Sequence, residues 1–146
     1  MLVYRIGSSR YAANDGKGAA QFGGRWNHKG VPLIYAAESR ALCALEILAG
    51  GREFAHDYTS IPIEVPDDLP VRILPIAELP AGWDSPEQGT GTRELGTTWA
   101  NATETAILVV PSAVLLANAT TSSIRDIRIF HESSSTLPSH FSLIRG

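Results

Sequence analysis

Cysteine is almost absent from this 146-residue chain: Cys43 stands alone, which excludes an internal disulfide and any cysteine-built metal cluster. It falls inside an apolar helical pattern, where a small buried side chain is a better reading than a nucleophile. Long apolar runs are missing as well. None approaches the roughly 18 residues that a membrane-spanning helix needs. There is no excess of basic charge either, with 12 Lys and Arg against 15 Asp and Glu and a net charge of −3. That balance supplies no field to neutralise a nucleic-acid backbone, so direct nucleic-acid binding is not expected. The histidines His28, His56, His131 and His140 make no i, i+3 or i, i+4 ligand pair, and no metal site is expected. The opening Met1-Leu2-Val3-Tyr4-Arg5 lacks the basic, apolar and small-residue order of a secretory signal, and the expected compartment is the cytoplasm.

What is present suits one folded domain. Hydrophobic residues make up 44% of the chain and charged residues 18%, enough apolar surface to close a core at this length. The chemistry concentrates first at Gly23-Gly24-Arg25-Trp26-Asn27. Glycine lets main chain approach a ligand, and arginine offers a rigid fork of donors for phosphate or carboxylate. This stretch reads either as an anion-binding corner or as a glycine turn with Trp26 in the core and Arg25 at the surface. Gly16 and Gly18 do not have the strand-to-helix setting of a nucleotide fingerprint.

In chain order, Leu2–Ile6 reads as a strand, with Arg5 alternating away from Tyr4 and Ile6 toward a cleft. Residues 7–24 read mostly as loop. Val31–Ala37 reads as a strand with Tyr35 near its end, followed by a helix from Arg40 to about Ala49 that Gly50 and Gly51 stop. On that helix Leu42, Leu45 and Ala49 form the expected core stripe, with Glu46 on the same stripe. An inward carboxylate must find donors or a cation, or else reach water from the edge of the stripe. Tyr58–Val65 reads as an edge or bulged strand because of Pro62. Val71–Leu74 reads as a short strand, residues 82–91 as a loop lying over a cleft, and Thr92–Ala102 as a helix with Trp99 in the core. Thr105–Val110 is the most apolar strand and is expected at the centre of the sheet. Ser112, just beyond it, either serves a site or caps a turn. No G-x-S-x-G elbow surrounds it, so an acylated serine is not expected.

Several stretches together resemble one family: Val3-Tyr4-Arg5, Gly23-Gly24-Arg25-Trp26-Asn27, Ile34-Tyr35, Glu38-Ser39, Ala44-Leu45-Glu46, Leu79-Pro80 with Trp83, Gly96 with Trp99, and Val110-Pro111-Ser112. In this order and spacing they are similar to the RES-domain toxins of bacterial RES-Xre toxin–antitoxin pairs, over roughly the first four-fifths of the chain. The resemblance implies an α+β fold, a compact single domain like the ADP-ribosyltransferase toxins, with mixed β-sheets and flanking helices. It implies a toxin that attacks NAD as substrate, with no cofactor, by hydrolysis or phosphorolysis of the nicotinamide–ribose bond or by transfer of ADP-ribose to a protein. It carries over Glu46, Arg25, Tyr35 and Ser112 as catalytic residues, and Arg5, Gly24, Arg25, Trp26, Asn27 and Tyr35 as NAD-binding ones. It also implies an Xre-type antitoxin as partner and leaves a homodimer open.

Past Ser112 the resemblance stops. The family continues with an N-Y-L-L-N-P-x-H-P-D-F-like run, whereas this chain reads from Ala117-Asn118-Ala119 through Ile129-Phe130. If the third base of each codon begins the next, Ala117 to Phe130 can be reread as E-R-N-Y-L-L-N-P-R-H-P-D-F. The expectation is therefore a frameshift between about Ser112 and Ala117, with residues 1–116 RES-like and 117–146 a divergent tail of the same domain. Such a shift would deprive this edge of its normal strand, Asn and His, and would set beside the enzyme an alternative: an unstable, inactive or degenerate remnant that at most binds its antitoxin or self-associates.

Overall fold

The computed structural model describes residues 1–9, 15–51, 57–87, 89–114 and 126–131. Six strands form one mixed sheet: β1 (Leu2–Ser8), β2 (Leu33–Ala37), β3 (Tyr58–Glu64), β4 (Val71–Ile73), β5 (Ile107–Pro111) and β6 (Asp126–His131), in the order β3-β1-β2-β6-β5-β4. Every neighbouring pair is antiparallel except β4 with β5, which is parallel. Among the described residues three α-helices accompany it, α1 (Lys17–Phe22), α2 (Arg40–Ala49) and α3 (Thr90–Ala102). The architecture is the expected α+β.

Alternation along the strands sends side chains to two faces. Leu33 and Ala37 of β2 join Leu108 and Val110 of β5 in one apolar cluster, which α2 covers with Leu42 and Cys43 and α3 with Trp99 and Ala100. Ile34 and Ala36, with Ile107 and Val109, belong to a second cluster that includes Val3 and Ile63. Full burial of each such Leu, Ile or Val is worth about 1.5–3 kcal/mol, so these alternating runs are what hold the sheet between its layers.

β3 does lie at a sheet edge, as Pro62 requires, since proline donates nothing to a further strand. β5 is fully buried but stands one place in from the other edge, because β4 pairs beyond it. Residues 17–22 correct the loop reading of 7–24. Gly16 and Gly18 hide α1 from local propensity, and the helix forms where a Gly16 Cβ would lie 2.6 Å from Leu33 N, a contact no other residue permits. The tail reading meets a formed strand: β6, from residues 126–131, fills the sheet between β2 and β5, with Tyr35 opposite Ile129 and Val109 opposite Arg128. Residues 117–125 and 132–146 of that tail lie outside the described residues.

Candidate active site

Ser39 accepts a hydrogen bond from Leu42 N and so starts α2, while Gly50 closes it. The buried face of α2 is not the stripe expected from spacing. Leu45 is 40% exposed and Ala49 is exposed, whereas Leu42 and Cys43 are buried and Glu46 is half-buried. The phase is set by i, i+1 and i+4 from Leu42, which turns Glu46 further inward than the Leu42-Leu45-Ala49 pattern does. There it meets Ser112, 2% exposed at the end of β5, whose hydroxyl donates to Glu46 Oε1 at 2.6 Å. Val114 N donates to the same Ser112 oxygen at 3.2 Å. Ser112 therefore serves both roles open to it, closing a local turn and fixing a carboxylate. Among the described residues Glu46 Oε2 makes no bond and is left for a ligand.

The Gly23–Asn27 turn is clamped from four sides. Asn27 is fully buried, and its Nδ2 faces the carbonyls of Ala19, His28 and Val31 at 2.9–3.0 Å. Its Oδ1 accepts from the Tyr35 hydroxyl at 2.7 Å, and that hydroxyl accepts from Trp26 N at 3.2 Å. A Cβ on Gly24 would lie 2.7 Å from the same hydroxyl, so glycine is needed where the turn touches Tyr35. From α3, Arg93 Nε donates to Gly24 O at 3.0 Å and Thr97 Oγ1 accepts from His28 N, while Gly96 lets the helix press on Trp26. Arg25 Nη1 donates to Trp83 O and Ser85 O, both at 2.9 Å. The rest of this half-buried guanidinium has no other partner among the described residues.

These elements enclose a cavity of about 460 Å³, within the usual range for a small-molecule site. Arg5, Gly24, Arg25, Trp26, Tyr35 and Glu46 line it, and Ser112 stands behind Glu46 between the lining residues Pro111 and Val114. Seven of the eight expected site residues thus gather at one place. Asn27 does not reach the cavity and acts as the clamp of the turn. Arg5 Nη1 donates to Asp15 O at 2.9 Å, bracing the start of α1. Cys43 also lines the wall, and burial pushes its thiol up to about 11, which keeps it protonated and unreactive at neutral pH. Among the described residues no group of three or more His, Cys, Asp or Glu is placed to hold a metal. Sequence reasoning missed Arg93 and Asp15. Arg93 sits in a polar helical pattern with no spacing signal, and Asp15 contributes to the Arg5 contact through its main chain.

This α+β fold has a counterpart among solved structures. The chain superposes with a TM-score of 0.75 on a chain of the solved M. tuberculosis MbcT-MbcA toxin–antitoxin complex, covering 99% of this chain and 81% of that one at 22% identity. The particular family follows from sequence: residues 2–131 match the RES domain, and this chain belongs to that family of toxins. It is 38% identical over 119 residues to Toxin Res of Photorhabdus laumondii, covering 79% of this chain and 76% of the relative. It is 39% identical over 113 residues to the Prs ADP-ribosylating toxin of a Sphingobium species, covering 72% and 69%. No helix among the described residues is long and apolar enough to cross a membrane.

Proposed function

We propose that this chain is a cytoplasmic toxin that consumes NAD by breaking the bond between nicotinamide and ribose. The observation that carries this reading is the Ser112–Glu46 hydrogen bond of 2.6 Å at the wall of a cavity that also holds Arg25 and Arg5. When the C–N bond breaks, its electron pair goes to the pyridinium nitrogen and neutral nicotinamide leaves. Positive charge develops on the ribose, and a fixed carboxylate stabilises that transition state more than the ground state. Glu46 takes this role through Oε2, with Oε1 held by Ser112. Because the leaving group is already cationic, its departure needs no proton donor.

Arg25, fixed by two carbonyls and keeping donors for the cavity, holds the diphosphate, with Arg5 beside it. The Tyr35 hydroxyl is engaged with Asn27 and Trp26, so the ring is presented edge-fixed as a surface for nicotinamide. The nucleophile decides the product. Water gives ADP-ribose and a proton, phosphate gives ADP-ribose 1″-phosphate, and a protein side chain gives an ADP-ribosylated protein, the activity named for the Sphingobium relative. The solved structural neighbour comes from a toxin–antitoxin complex, which supports an antitoxin partner here; that this partner is of Xre type rests on the sequence resemblance alone.

The test is to incubate the purified chain with NAD, with and without phosphate, and identify products by chromatography and mass. Nicotinamide released by the wild-type chain and not by folded Glu46→Ala is the expected result. A second reading, an inactive remnant, rests on the out-of-frame rereading of Ala117 to Phe130, although the family match runs to residue 131. Absence of release together with a coding sequence that carries the motif in the alternative frame would establish it in place of the enzyme.

A further inference from the structure

One large aromatic side chain has no part in the reaction as described. Phe22, the last residue of α1, is 61% exposed and lines the same cavity as Arg25 and Glu46. Of the other aromatic residues on that wall, Trp26 is buried and Tyr35 and Tyr58 are half-buried. Phe22 belongs to neither apolar cluster, so its ring is not what holds the sheet together. Its backbone, in contrast, is firmly placed. Gly23 N donates to Ala19 O, closing α1, and Asn27 Nδ2 donates to that same carbonyl. A ring on a fixed backbone, turned to solvent at a cavity wall, is a stacking platform, and every purine offers a π-face to one.

This step rests on the proposed reaction. A nicotinamide dinucleotide has two flat groups joined through riboses by a diphosphate. Its nicotinamide ribose must reach Glu46, and its diphosphate the Arg25 fork. The second base then lies beyond the diphosphate, and Phe22, three residues before Arg25 in the chain, is the exposed aromatic side chain among the cavity-lining residues. We propose that Phe22 stacks on the adenine of NAD and is a binding residue for the purine half of the dinucleotide.

Calorimetric titration of the full chain with ADP and with inorganic pyrophosphate tests this without requiring turnover. Phe22→Ala is expected to weaken ADP about 5-fold to 150-fold, the range found for base–aromatic stacking, and to leave pyrophosphate unchanged. Phe22→Trp is expected to keep ADP affinity. Equal ADP affinity in wild type and Phe22→Ala overturns the proposal and leaves the ring as a protein-contact residue. A matched loss of both ligands also overturns it, because it marks a damaged cavity. Nicotinamide release is followed in parallel. ADP binding through Phe22 in a chain that releases no nicotinamide supports this inference while refuting the proposed reaction, so the two failures are told apart.

Discussion

Ser112→Ala isolates the contact on which the proposed reaction depends. The hydroxyl donates to a carboxylate at 2.6 Å from a position 2% exposed, and it accepts from Val114 N. Hydrogen bonds to charged groups contribute about 1.5–3 kcal/mol, but Glu46 is only half-buried and water can replace part of the lost donor. A stability loss of about 1–2 kcal/mol is expected in urea unfolding. If Ser112 acts through Glu46, that loss shrinks to a few tenths of a kcal/mol in a Glu46→Ala background, where there is no carboxylate to hold. The kinetic expectation is a kcat for nicotinamide release lowered roughly 10- to 100-fold, which is about 1.4–2.7 kcal/mol of barrier. KM for NAD should change little, because Ser112 does not itself line the cavity. Additive stability losses in the double variant, or an unchanged kcat with normal folding, would refute the argument that Ser112 positions Glu46.

Two further outcomes test the frame around that pair. Gly96→Ala should destabilise the chain by about 3 kcal/mol or more, since a Cβ there would lie 2.0 Å from Trp26 O, a main-chain atom that cannot swing away. Gly18→Ala, also helical but with nothing within 4 Å of the added Cβ, should be neutral or stabilising by up to about 1 kcal/mol in the same unfolding assay. For Cys43, burial raises the folded thiol to about 11, so the folded chain holds this proton more tightly than the unfolded one. Its contribution to stability is complete below the unfolded value near 9 and is lost as pH rises from there toward 11. Unfolding midpoints should fall over that window, and less so in Cys43→Ala. Iodoacetamide at pH 8 should label the native thiol far more slowly than the urea-unfolded one.

Where local signals are strong, sequence and structure agree. Ser39 and Gly50 bound α2, and short continuous apolar runs mark β2 and β5 without help from the rest of the chain. Where tertiary contact overrides propensity, local reading fails: α1 carries a glycine and exists because Gly16 fits against residues 32–33. Spacing misphases the α2 stripe because Leu45 is a better hydrophobe than Cys43, yet Cys43 is the residue that fits beneath β1, giving its Sγ–H to Tyr4 O at 2.9 Å. Glu46 and Ser112 stand 66 residues apart, and spacing alone cannot bring them together. Only the joint resemblance to the RES domain did so. Asn27 shows the limit of that resemblance, since a motif names residues that matter without separating a ligand's partner from the clamp that holds the turn.

The Arg25 geometry extends the site beyond the cavity wall. Neither Trp83 nor Ser85 lines the cavity, yet their carbonyls hold Arg25 Nη1 at 2.9 Å before any ligand arrives. In the proposed reaction a guanidinium fixed in this way does not have to be immobilised when NAD binds, so more of the binding free energy remains for aligning the ribose with Glu46. The same contacts make the cation's position depend on the loop around Gly82, whose φ of +73° no other residue adopts without strain. A substitution there would shift Trp83 and Ser85 and with them Arg25, although the altered residue touches neither substrate nor cavity. Arg93 acts from the opposite side, fixing Gly24 O next to the same arginine. The corner proposed to hold the diphosphate is therefore built by α3 and the 82–85 loop as much as by the glycines that precede Arg25.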